Sequence, residues 1–204
     1  MACMALAALL IAGCAAPSLR FYTLGRAPAT GRSLPLPRQA AVIEVDRLIL
    51  PNYLDSQDIL LSDGSILQGS STGRWASRLS LLATELVTSR LAMRVPDDLV
   101  TDQRPAEAPQ YRILIHVARL DITKDGRAAM DADWRILTSD REGHATGGRA
   151  QIRLTGSTAT DRDTVHLERA LFERLADSIS LPTSVLNPGG RKSSGCTEIR
   201  PVIE

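Results

Sequence analysis

Little in this chain is suited to carrying chemistry. Three histidines and three cysteines occur in 204 residues, and their spacing matches no metal-ligand motif. His116, His144 and His166 read as ordinary core or surface histidines. There is no Gly-x-Ser-x-Gly elbow and no phosphate-binding glycine loop, and Gly147-Gly148 reads as a turn entering a strand. Asp131 and Asp133 share one strand face, where a charged ladder explains them more simply than an acid–base pair. No catalytic, cofactor-binding or metal-binding residue is assigned, and the expectation is a protein that is not an enzyme. A formal net charge of +1 argues against nucleic acid as a partner, because phosphate binding needs a basic face. No apolar run reaches the about 20 residues that a spanning helix needs. The cysteines build no disulfide framework in a mature chain. Cys3 falls in a leader, Cys196 stands alone in a Gly/Ser/Lys-rich tail, and Cys14 has another use.

That use follows from its neighbours. An apolar run from Met4 to Ala12 ends in small residues and then Cys14, the pattern of a secretory h-region running into its cleavage site. Ile11-Ala12-Gly13-Cys14 resembles the bacterial lipobox, in which the cysteine becomes the lipid-modified first residue. The competing reading is a plain signal peptide cut at a nearby alanine. No Lys or Arg lies between Met1 and Gly13, so either the start lies upstream of Met1 or the export signal is weak. Ala15, not Asp, follows the cysteine, which resembles lipoproteins sorted to the outer membrane. A triacylated Cys14 would be a firm tether. The expected organisation is a signal peptide over 1–13, an anchor and flexible spacer over 14–38, a single domain over 39–181 and a flexible tail over 182–204.

Within the spacer, Arg20-Phe21-Tyr22-Thr23-Leu24 is a β-prone island that either joins a sheet or stays loose. Alternation over Ala41–Asp46 predicts a strand. Ile59-Leu60-Leu61 and Ile66-Leu67, separated by Ser62-Asp63-Gly64-Ser65, predict a hairpin. Trp75, Leu79, Leu82 and Leu86 step at helical spacing behind a cap at Ser71 or Thr72, with an end near Met93 before Pro96. Asp97 to Pro109 reads as a loop. Three strands follow, over Tyr111–Leu120, around Ala132–Ile136 and around Ala150–Leu154. The first is apolar on both faces and so expected to be central. Acids on the second and arginines on the third suit cross-strand pairing. A helix from about Asp163 to Ile179 buries Leu171, Phe172, Leu175, Ala176 and Ile179. The fold class is α+β, a mostly antiparallel or mixed sheet with two main helices packed on one face.

The ordered set of Cys14, Phe21-Tyr22-Thr23-Leu24, Val42–Val45, Leu50-Pro51-Asn52-Tyr53-Leu54-Asp55, Arg74-Trp75-Ala76, Ala132-Asp133-Trp134 and Leu175-Ala176-Asp177-Ser178-Ile179 resembles the ABC-type transport auxiliary lipoproteins, the paraquat-inducible protein C (PqiC) family. The resemblance implies a non-enzymatic lipoprotein that docks an MCE-domain periplasmic protein at the outer membrane and supports lipid transport between membranes. Tyr53, Leu54 and Asp55 in a turn, with Arg74 and Trp75 at a helix start, are the candidate partner contacts. Trp75 reads at least as readily as the first core residue of its helix. Symmetric tunnel partners leave a homo-oligomer open. The rival readings are a carrier that holds an acyl chain between sheet and helices, and an enzyme whose cleft gathers titratable groups from distant positions.

Overall fold

The computed structural model describes residues 18–26, 36–37, 40–139 and 146–182. Cys14, Cys196 and His144 lie outside them. In chain order the elements are β1 (Arg20–Tyr22), β2 (Val42–Val45), β3 (Asp58–Asp63), β4 (Ile66–Trp75), α1 (Leu79–Arg94), β5 (Leu99–Thr101), β6 (Tyr111–Ile122), β7 (Arg127–Thr138), β8 (Thr146–Thr155) and α2 (Asp161–Ser178). They form an α+β fold with two sheets, a five-stranded one in the order β5-β2-β6-β7-β8 and a three-stranded one in the order β1-β4-β3.

The large sheet is mixed. β2 runs parallel to both β5 and β6, and the β6-β7-β8 meander is antiparallel. Its buried face is built by alternation: Ile113, Ile115 and Val117 on β6 lie beside Ala128, Met130, Ala132, Trp134 and Ile136 on β7. The two helices pack on each other and cover this face, with Leu79, Leu86, Leu91, Leu171, Phe172 and Leu175 in one shared core. α2 starts on a capping box, in which the Thr160 hydroxyl accepts from the Asp163 N–H and the Asp163 carboxylate accepts from the Thr160 N–H, each at 3.2 Å.

Strand β6 is central, as its sequence suggested, but only one of its faces is covered: Arg112, His116 and Ala118 are exposed. Both helices sit on the other side. The open face carries ion pairs across the strands, Arg149 to Asp133 at 2.8 Å and Arg153 to Asp131 at 2.9 Å. A bulge at Ala118 shifts the register between Val117 and Arg119. The inward parity therefore changes from odd to even, and Leu120 and Ile122 are buried.

Two segments depart from the sequence reading. The Ser/Thr residues read as a helix cap lie in β4, which extends through Trp75 between β1 and β3; α1 starts only at Leu79, though Leu79, Leu82 and Leu86 do face the core. The Asp97–Pro109 loop contains β5, an edge strand pairing with β2 in parallel. Of the two readings of the aromatic island, the structure shows the first: β1 joins a sheet by pairing with β4, and Leu24 is fully buried. The predicted hairpin is present, with Asp63 paired to Ile66 across Gly64-Ser65. Gly64 sits at φ 63°, the left-handed conformation a two-residue loop requires at its first position.

Candidate functional site

The two most distinctive pieces of sequence, Pro51–Asp55 and Arg74–Ala76, meet at one junction between the small sheet and α1. The Trp75 N–H donates to Gln57 O at 2.7 Å, the Ala76 N–H to Tyr22 O at 2.7 Å, and the Leu79 N–H to Ser56 O at 3.1 Å. Asp55 is the hub. Arg78, the residue at the N-cap of α1, makes no side-chain cap, and Asp55 supplies one from the preceding loop by accepting from the Ser80 N–H at 3.2 Å. Its other oxygen lies 3.0 Å from Arg47 and 3.5 Å from Arg78. Burial pushes the Asp55 carboxyl up, but the hydrogen bonds from Ser80 and the charges of Arg47 and Arg78 outweigh it and hold it below the usual carboxylate range.

The candidate partner contacts divide accordingly. Trp75 is fully buried at the end of β4, so it is a core residue, and it does not start a helix. Leu54 is buried as well. Arg74 is partly buried, paired with Asp58 at 3.2 Å and donating to Gly73 O at 2.7 Å. Asp55 is committed to the cap. Tyr53 alone of the five is an exposed large hydrophobic, at 54 %.

Beyond Tyr53 an open groove of about 390 Å³ runs between the β3–β4 hairpin and β6, lined by Tyr53, Ser65, Leu67, Arg119, Leu120 and Asp121. Beneath the junction is a second space of about 20 Å³, walled by Leu54, Leu60, Leu79, Leu120 and Ile122 with Asp58 and Glu168. That is room for about one water. Glu168 on α2 is buried, and desolvation alone pushes its carboxyl up to about 8, so at neutral pH it is held largely protonated.

The family model for the ABC-type transport auxiliary lipoprotein component matches residues 22–180, from the end of β1 to just past α2. The chain belongs to this family. No curated protein matches the auxiliary lipoprotein's sequence. Among solved structures, it is similar to a crystal structure of an uncharacterized protein, with 16% identity and a TM-score of 0.63 over 78% of this chain and 95% of that one. It is also similar to protein XCC0632 from Xanthomonas campestris, with 14% identity and a TM-score of 0.56 over 78% of this chain and 90% of that one. Both likenesses are of fold.

In this auxiliary lipoprotein the histidines are scattered. His116 lies on the open face of the large sheet opposite Asp133, and His166 lies on α2 beside Asp163. Among the described residues no cluster of His, Cys, Asp and Glu is placed to hold a metal, and no helix is long and apolar enough to cross a membrane. What the junction does chemically is bind the chain to itself: it satisfies the start of α1 and locks the small sheet to the helix layer. Two features escaped the sequence reading. Glu168 sits three, four and seven residues before Leu171, Phe172 and Leu175, so extending the helical stripe backwards would have placed a carboxyl in the core. The exposure of Ile66 and Leu67 had no such signal, because an apolar pair in a hairpin reads the same whether covered or bare.

Proposed function

We propose that this chain is a non-enzymatic outer-membrane lipoprotein subunit of an MCE-type ABC lipid transport system, lipid-anchored through Cys14 on the periplasmic face. It docks the MCE-domain periplasmic protein and so supports lipid transport between membranes and envelope integrity. The observation that carries this reading is the family match over residues 22–180, on a domain whose first strand begins six residues after the lipobox cysteine. A tethered domain raises the local concentration of its docking surface near the membrane. The acyl-carrier alternative receives less support, since the space among Leu54, Leu79, Leu120 and Glu168 is about 20 Å³, far below the roughly 300 Å³ at which ligand pockets begin.

The test is a membrane-fraction pull-down of the full chain, with mass spectrometry of its N-terminus and of co-purifying proteins. A triacylated Cys14 with an MCE-domain protein is the expected result. An unmodified chain with no ABC-system component would overturn both the anchor and the docking role.

A further inference from the structure

The β3–β4 hairpin carries bare apolar side chains at its tip. At the β3–β4 hairpin Ile66 is 59% and Leu67 47% exposed, and Tyr53 beside Leu67 is 54% exposed. Successive strand residues point to opposite faces, so Ile66 and Leu67 place apolar groups on both sides of a two-residue turn, Gly64-Ser65. The charged neighbours are paired. Lys124 lies 3.0 Å from Asp63 and Arg119 lies 3.3 Å from Asp121. The tip therefore presents an apolar wedge with a tyrosine and locally cancelled charge, the composition suited to the headgroup boundary of a bilayer.

Chain length and direction select the occupant. β1 runs parallel to β4, with Arg20 opposite Gly73, so the polypeptide entering β1 comes from the hairpin-tip side. Arg20 is the sixth residue after Cys14, a span of at most about 20 Å. Gly73 lies seven residues along β4 from Ile66, about 23 Å at the rise of a strand. The greatest reach of the anchor is therefore no longer than the distance from β1 to the tip, so with β4 directed at the bilayer a Cys14 held in it brings the tip to the lipid surface.

We propose that the β3–β4 hairpin tip, Ile66 and Leu67 with Tyr53 beside them, seats on the lipid surface in which Cys14 is anchored. This rests on the lipid-anchor reading of Cys14, and it assigns Tyr53 to lipid and not to a protein partner. The lipid tail and the tip make two points of contact, so the domain stands in one orientation. The opposite end of the β6–β7 pair, where Leu137 pairs with Arg112, then projects away from the bilayer by about 33 Å, the length of ten β7 residues from Arg127.

The test uses the full chain, produced with its lipid modification and reconstituted into phosphatidylcholine vesicles whose acyl chains are partly brominated. Leu67→Trp and Ile66→Trp report on the tip. Leu137→Trp reports on the far end, where the side chain is also exposed. The native Trp75 and Trp134 are buried and give a common background. The expected result is loss of the added emission at both tip positions and none at Leu137→Trp. Vesicles that carry the protein yet quench all three positions equally, or none, overturn the tip contact while leaving the anchor intact. Tip emission that changes only on adding the MCE-domain protein, or on raising the protein concentration, overturns it in favour of a protein interface. Failure to co-float with vesicles removes the anchor reading, and the tip contact with it.

Discussion

The buried carboxyl of Glu168 should make this fold lose stability as the pH rises through the neutral range. Its pKa is about 8 in the folded chain against 4.5 for an ordinary glutamate. Between those values the folded state holds a proton that the unfolded chain has released. Each pH unit in that window then lowers unfolding free energy by about 1.4 kcal/mol. The advantage of the neutral acid is complete below the unfolded value and gone above the folded one. From pH 5 to pH 7 the loss attributable to this group is about 2–3 kcal/mol, a substantial part of the 5–15 kcal/mol that stabilises a typical domain. Glu168→Gln keeps the shape and removes the titration. Asp58, the other acid lining the cavity, and its partner Arg74 are unchanged, so the difference between the two proteins isolates position 168. Urea unfolding of both chains at pH 5, 6, 7 and 8 should show the gap moving steadily in favour of the glutamine variant. Parallel stability curves across that range would refute the reasoning and mean that the carboxylate is solvated or paired in solution.

Three further substitutions probe the same architecture. Asp55→Ala removes the borrowed cap of α1 and should cost about 1 kcal/mol at neutral pH. Because the folded carboxyl lies below its usual value of 3.8, that stabilisation is present above the unfolded pKa and lost as pH falls through the folded one; the two denaturation midpoints should therefore converge in acid. Thr88→Val on α1 replaces a buried hydroxyl that has no hydrogen-bond partner with a methyl of similar shape, and thermal unfolding should rise by about 1 kcal/mol equivalent. Gly126→Ala places a methyl 2.0 Å from Gly156 O at a backbone φ of 83°. A loss of about 1–3 kcal/mol in chemical denaturation is expected, and an unchanged midpoint would contradict the tight turn between β6 and β7.

What the sequence made legible is what local periodicity encodes. The β6-β7-β8 meander, the apolar stripe of α2 and the hairpin at Asp63-Gly64 each carry their signal within a few residues, and each is present. The acid–arginine ladder was readable for the same reason, since alternation alone put Asp133 and Arg149 on one face. The features missed depend on distant partners. β4 extends through a Ser/Gly-rich segment because β3 and β1 satisfy its backbone on both sides, which outweighs its weak strand propensity. β5 is three residues long and exists because β2 offers it an edge. The parity change at Ala118 could not be read from alternation, since a bulge is defined against the opposite strand.

The residues that carried the family resemblance are for the most part spent on holding the fold together. Trp75 and Leu54 are buried, Asp55 caps α1, and Arg74 binds Asp58. Asp177, from the last matching piece, receives two hydrogen bonds from Arg90 at 2.9 and 3.0 Å and so ties α2 to α1. Sequence likeness of this kind identifies an architecture, because buried and capping residues tolerate few alternatives. The choice of a partner belongs to exposed side chains, of which that likeness samples few, Phe21 and Tyr53 among them. Among the described residues two regions stand out for contact with other molecules. One is the apolar tip at Ile66 and Leu67, on the side from which β1 is entered. The other is the helix-free face of the large sheet, where charges are laddered in pairs and a partner would have to replace ion pairs already made. At the tip the apolar side chains of Ile66 and Leu67 project beyond the paired charges of Lys124 with Asp63 and Arg119 with Asp121, whereas on the sheet face the ion pairs are themselves the surface, so the two suit different occupants.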